Sequence, residues 1–113
     1  GVIDARAPER YRGEVEPVDG VPGHIPTAVN RPSGGNLGPD GLFLPPEALR
    51  DRFEALTAVG DVVSYCGSGV TACHNALAMR IAELPDPLVY AGSYSDWTRA
   101  GRPVATGSEP GPA

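Results

Sequence analysis

The sequence predicts an α/β fold with a largely parallel central sheet flanked by helices, and two observations carry that expectation. First, short apolar runs at residues 1–4, 28–30, 61–65 and 88–90 alternate with segments of helical periodicity, which is the element order of a layered α/β sheet. Second, residues 61–79 read DVVSYCGSGVTACHNALAM. A β-branched run there ends at Cys66, Gly67 and Gly69 follow within three positions, and Val70, Cys73, Leu77, Ile81 and Leu84 recur at helical spacing. That pattern is strand, tight loop, helix.

Taken in order, Gly1 to Asp4 is the end of a buried strand, and Pro8 near the start of Ala7–Tyr11 opens a short helical turn. Residues 12–23 are polar and turn-rich. After the bend at Gly23-His24-Ile25-Pro26, Ala28-Val29-Asn30 has the character of a short strand. Residues 31–41, RPSGGNLGPDG, have loop composition. From Pro45, Leu49, Phe53 and Leu56 mark one helix face, bounded by paired prolines before it and Gly60 after it. Pro85 and Pro87 stop the helix that follows the cysteine loop, and Leu88-Val89-Tyr90 is then expected as a buried strand. Ser93 or Ser95 is placed to cap a last helix through Arg99, with Gly101 beyond it. The expected division is a domain over residues 1–104 and a flexible tail over 105–113.

At 113 residues, with 41% hydrophobic residues, the chain is long enough for one core, and 15 Gly and 13 Pro make it rich in loops. The net charge of −5 and the lack of a basic stripe argue against nucleic-acid binding. All nine positive charges are arginine, which removes lysine Schiff-base chemistry and the lysine-dependent phosphate loop. His24 and His74 are isolated and no Cys/His cluster has ligand spacing, so neither a metal nor a cofactor is expected. No run is apolar enough to span a membrane, and two cysteines make no disulfide framework; both point to a reducing, cytoplasmic setting. The first residue is Gly1 rather than methionine, within strand-like sequence, as expected for a piece of a longer chain.

In parallel sheets, sites form beyond the carboxyl ends of the strands. Cys66, Asp4-Ala5-Arg6 and Ala91-Gly92-Ser93 all follow strands, so the three loops are expected to share one rim. A cysteine is most often a small buried apolar residue. The setting of Cys66 favours reactivity instead, because glycines turn backbone N–H groups inward and the next helix directs its positive end at the same spot. A thiolate there is stabilised, as is an anion bonded to its sulfur.

Asp4-Ala5-Arg6, Arg10-Tyr11-Arg12-Gly13, Gly23-His24-Ile25-Pro26, Cys66-Gly67-Ser68-Gly69-Val70-Thr71-Ala72-Cys73-His74 and Gly92-Ser93-Tyr94-Ser95-Asp96-Trp97 occur in this order. Together they resemble the C-terminal catalytic domain of the two-domain rhodanese/3-mercaptopyruvate sulfurtransferase family over nearly the whole chain. The resemblance implies a rhodanese-like domain in which Cys66 takes a sulfane sulfur as a persulfide. The acceptors it implies are cyanide or a thiol, including a thioredoxin-like protein. It also implies that the backbone of Gly67, Ser68, Gly69, Val70 and Thr71 cradles the outer sulfur and that Arg10 faces the donor's anionic group. Ser68 matches a serine that mercaptopyruvate enzymes place beside the cysteine. Thiosulfate enzymes carry basic residues at the positions of Gly67 and Ser68, so 3-mercaptopyruvate is the favoured donor. An N-terminal rhodanese-like domain in the same polypeptide is also implied.

Two positions depart from the family pattern. Val18 stands where mercaptopyruvate enzymes carry a second carboxylate-binding arginine, and Thr27 replaces a glycine after the bend. Two other functions compete. Cysteine phosphatases need an arginine six residues after the cysteine, where this chain has Ala72. A catalytically silent rhodanese-like binding module would generally lack the cysteine. Of the remaining side chains, His24 is expected to brace the bend, Tyr94 and Trp97 to cover the core, Arg6 to pair with a carboxylate, and Cys73 to lie in the core.

Overall fold

Three residues of β-compatible sequence, Val2-Ile3-Asp4, form the strand around which the sheet is built. The computed structural model describes residues 1–58, 60–67 and 69–112. Its elements are β1 (Val2–Asp4), α1 (Pro8–Arg12), β2 (Val29–Asn30), α2 (Pro46–Thr57), β3 (Val63–Tyr65), α3 (Ala72–Ile81), β4 (Leu88–Val89) and α4 (Ser93–Arg99). A single 3-10 turn, Ser33–Asn36, lies within the long loop after β2. The four strands are all parallel, in the order β2-β1-β3-β4. Asp4 at the end of β1 stands opposite Tyr65 at the end of β3. This register brings the carboxyl ends of both central strands to one rim. Among the described residues no helix is long and apolar enough to cross a membrane.

Alternation along the strands sends side chains to two cores. On one face, Ile3 packs with Leu49 and Phe53 of α2, Ala78 and Met79 of α3, and Val62, Ala82 and Leu84. The Pro46–Thr57 helix is thus anchored by the face its sequence predicted, and burying a side chain such as Leu49 or Phe53 contributes about 1.5–3 kcal/mol. On the other face, Tyr65 packs with Tyr11, Ile25, Ala28 and Tyr94, and Trp97 lies partly buried against them. Residues 104–112 return over this face. Ala105 bridges His24 through both backbone bonds, and the Thr27 N–H donates to the Pro110 carbonyl.

Three expectations are corrected. The buried face of α3 is Ala72, Asn75, Ala78 and Met79, not the Val70–Cys73–Leu77 stripe. Val70 is 79% exposed, Leu77 49%, and Cys73 is exposed rather than in the core. Small side chains explain this: with alanines facing inward the helix lies close to the sheet, and the Ser64 hydroxyl donates to the Ala72 carbonyl. The larger residues, about 100° around the helix, are left outside. The second correction concerns β4, which is an exposed edge strand because it has a sheet neighbour on one side only. The third is that neither Ser93 nor Ser95 caps α4; Gly92 takes the N-cap position and Ser93 is the first helical residue.

Candidate active site

The Cys66 side chain lies just beyond β3, 2% exposed, in contact with Ala5 from the β1 rim and Ala72 from the first turn of α3. The helix therefore starts against the cysteine, and its positive dipole end faces that region. The Gly69 N–H donates to Cys66 Sγ at 3.0 Å. That bond requires the chain to double back within three residues, which it does through Gly69 at φ +103°, a conformation that L side chains rarely adopt. A Cβ on Gly69 would lie 2.3 Å from the Ala91 carbonyl oxygen. Glycine is thus required twice at this position, for its dihedral and for the close approach of the 91–93 loop. Val70 directs its side chain outward, so only its backbone is available to the loop. Thr71 is also exposed and occupies the N-cap position of α3 without a side-chain cap bond. Ser68 lies outside the described residues.

The third rim segment closes over the loop from the other side. The Tyr94 N–H donates to the Cys66 carbonyl and the Ser95 N–H to the Gly67 carbonyl, both at 3.0 Å. Ser93 is fully buried and sits at φ +53°, a strained position for a residue with a Cβ. Its hydroxyl donates to the Tyr90 carbonyl at 2.7 Å and accepts the Cys66 N–H at 3.1 Å, with Oγ 4.0 Å from Sγ. The sequence placed Ser93 on the rim shared with Cys66 but gave its side chain only a capping role, not the bond that it makes to the Cys66 N–H.

Arg10 projects from α1 to the same loop. A Cβ on Gly67 would stand 3.3 Å from Arg10 Nη2, so the glycine leaves room for the guanidinium. Arg6 turns inward: it pairs with Asp4 at 2.8 Å, donates to the Gly23 carbonyl and stacks over Tyr94 with its Cζ 4.0 Å from the ring centroid. Burial opposes the charge on Arg6, and the neighbouring Asp4 carboxylate more than restores it, so its pKa is raised. Burial also pushes the Tyr94 hydroxyl up to about 12. Tyr65, which donates to Asp4, is raised by burial and by that carboxylate. His24 is stacked on Tyr11, its ring nitrogens facing the carbonyls of Tyr11 and Pro110. It braces the bend from beneath and does not reach the loop. The Cys73 thiol is directed at the Gly69 carbonyl at 3.6 Å and is open to solvent.

A buried cysteine in a strand–loop–helix turn, under a closing 91–95 segment and with Arg10 over the adjoining Gly67, has the geometry in which a thiolate is stabilised. The chain belongs to the rhodanese-like domain family, whose model matches residues 1–100. It is 57% identical over 110 residues to a Pseudomonas aeruginosa protein named a probable 3-mercaptopyruvate sulfurtransferase, covering 94% of this chain and 39% of that one. It is 44% identical over 112 residues to human 3-mercaptopyruvate sulfurtransferase, covering 96% of this chain and 38% of the human one. The solved structure of 3-mercaptopyruvate sulfurtransferase from Leishmania major superposes with a TM-score of 0.76 at 34% identity, over 90% of this chain and 30% of that one. The chain thus spans about two fifths of the curated relatives it matches.

Proposed function

We propose that this chain is the catalytic domain of a sulfurtransferase working by double displacement through Cys66. The observation that carries the reading is the Gly69 N–H aimed at Cys66 Sγ inside a glycine-turned loop at the start of α3. Such a loop stabilises negative charge on sulfur, whether it sits on the thiolate or on a persulfide. In the first half-reaction the Cys66 thiolate attacks the donor's transferable sulfur and forms an S–S bond. With 3-mercaptopyruvate the C–S bond breaks, its electron pair passes to the pyruvate enolate, and the enolate takes up a proton. With thiosulfate the S–S bond of the donor breaks and sulfite leaves. In the second half-reaction cyanide or a thiolate attacks the outer sulfur, and Cys66 thiolate is regenerated.

Arg10 is the residue that meets the donor's anionic group, since its guanidinium lies over Gly67 while 23% of its side chain remains exposed. Gly67 brings no second cation for a dianion, which favours 3-mercaptopyruvate over thiosulfate. The Pseudomonas and human relatives named for 3-mercaptopyruvate support the same donor. The backbone of Gly67, Gly69, Val70 and Thr71 lines the sulfur cradle in this reading, and Ser68 is assigned to donor binding by its match to the family's serine. In the full-length protein a second rhodanese-like domain accompanies this one, and the free cysteines suit a reducing, cytoplasmic setting. Cyanolysis provides the test. Thiocyanate released from either donor, and lost in Cys66→Ala, supports the enzyme; no turnover with either donor would instead identify a binding module.

A further inference from the structure

Ten residues, 13–22, separate α1 from the bend that holds His24, and the strap 14–20 within them carries two carboxylates with buried side chains. The Glu16 side chain is 3% exposed. Its Oε1 accepts from Arg6 Nη1 at 3.3 Å, and its Oε2 accepts from Arg10 Nη2 at 3.3 Å. The same Oε2 accepts the backbone N–H groups of Val18 and Asp19, each at 2.9 Å. Burial works against the charge on Glu16, but those two amides with Arg10 and Arg6 outweigh it and hold its carboxyl below the ordinary value. Asp19 is 7% exposed and stands 3.8 Å from the same Arg10 Nη2. One of its oxygens accepts from the Ser95 hydroxyl, whose backbone N–H is bound to the Gly67 carbonyl. Arg10 Nε is buried with no partner among the described residues.

These contacts converge on one atom. Arg10 Nη2 touches Glu16, faces Asp19 and is the guanidinium atom nearest the Cβ position of Gly67. An arginine on a five-residue helix has many rotamers open to it and loses much side-chain entropy when fixed. A carboxylate that is itself fixed by two backbone amides and by Arg6 restricts that freedom before any donor arrives. We propose that Glu16 is a positioning residue for the sulfur-loading half-reaction: it holds Arg10 over the Cys66 loop so that the guanidinium meets an anionic donor without reorganisation. This inference rests on the sulfurtransferase reading and adds to it the element that sets donor affinity. Glu16 itself touches no donor.

Because Glu16 binds both arginines, a structural role through Arg6 must be separated from a positioning role through Arg10. The experiment is a double-mutant cycle in the full-length protein, with 3-mercaptopyruvate and thiosulfate as donors and cyanide as acceptor. Glu16→Gln is expected to raise the donor KM about 5- to 20-fold, the size of coupling usual between contacting charged residues, while kcat falls less than twofold. Glu16→Asp, which keeps the charge, is expected to recover much of that loss. Arg10→Ala and Arg10→Ala/Glu16→Gln are expected to share one KM, since with Arg10 gone there is nothing left for Glu16 to position. A structural role alone would instead lower the melting temperature and kcat together, leave KM unchanged, and multiply with Arg10→Ala. That pattern overturns the proposal, as does a wild-type KM in Glu16→Gln. Failure of the underlying reading looks different, because then the wild-type protein forms no thiocyanate at all.

Discussion

Replacing Gly69 by alanine adds one methyl group where the loop has room for none. The new Cβ would sit 2.3 Å from the Ala91 carbonyl oxygen, more than 1 Å inside ordinary contact, and that oxygen belongs to backbone rather than to a mobile side chain. The residue would also hold φ +103°, which costs on the order of 1–2 kcal/mol for a side chain bearing a Cβ. Relief requires the loop to lift by about that 1 Å, and the Gly69 N–H then leaves hydrogen-bond range of Cys66 Sγ, now 3.0 Å away. A hydrogen bond to a charged acceptor contributes about 1.5–3 kcal/mol. At about 1.4 kcal/mol per tenfold in rate, sulfur loading should slow by roughly 10- to 150-fold. Single-turnover loading followed by rapid-quench mass spectrometry measures this directly, with thermal melts run in parallel. Gly60→Ala is the control: Gly60 has φ +117° but open space around its Cβ position, so it should lose stability and keep its loading rate. A Gly69→Ala protein that loads at the wild-type rate would refute the cradle argument.

Ser93→Ala leaves the buried Cys66 N–H without its acceptor and should cost about 1–3 kcal/mol of stability; Ser93→Gly, which relieves the φ +53° strain, should be the more stable of the two in chemical denaturation. Val18 is 72% exposed, so Val18→Arg should fold normally and lower the KM for 3-mercaptopyruvate several-fold through one added charge-assisted contact. Steady-state kinetics with both donors should further give 3-mercaptopyruvate the higher kcat/KM, and a clear preference for thiosulfate would contradict the assignment of donor. The raised pKa of Tyr94 favours the folded state fully below about pH 10, its ordinary value, and that contribution is lost as the pH rises toward about 12. Denaturant melts across this range should show the decline, and Tyr94→Phe should flatten it.

Punctuation and periodicity made the framework legible. Glycine and proline positions framed α2 and α3, and the apolar runs identified the four strands. The cysteine loop was legible for the same reason, since two glycines after a β-branched strand have few structural uses. Which face of α3 turns inward was hidden, because alanine weighs little in a hydrophobic pattern yet permits the closest packing against a sheet. The exposure of β4 was equally hidden, since a two-residue apolar strand looks the same at an edge as in the middle. The part of the site built by Ser93, Glu16 and Asp19 depends on contacts spanning up to 76 residues of sequence. No local pattern marks a serine that accepts the cysteine N–H or a glutamate that bridges two arginines. Arg10 was found by resemblance alone; its placement over Gly67 became visible only once α1 and β3 were brought to one rim.

The central claim is that Cys66, and not Cys73, carries sulfur. Intact-protein mass spectrometry after incubation with 3-mercaptopyruvate, followed by peptide mapping, tests it most directly. The account predicts one added sulfur on the peptide containing Cys66, absent in Cys66→Ser and retained in Cys73→Ser. Added sulfur found on exposed Cys73 alone, with Cys66 unmodified, would contradict it.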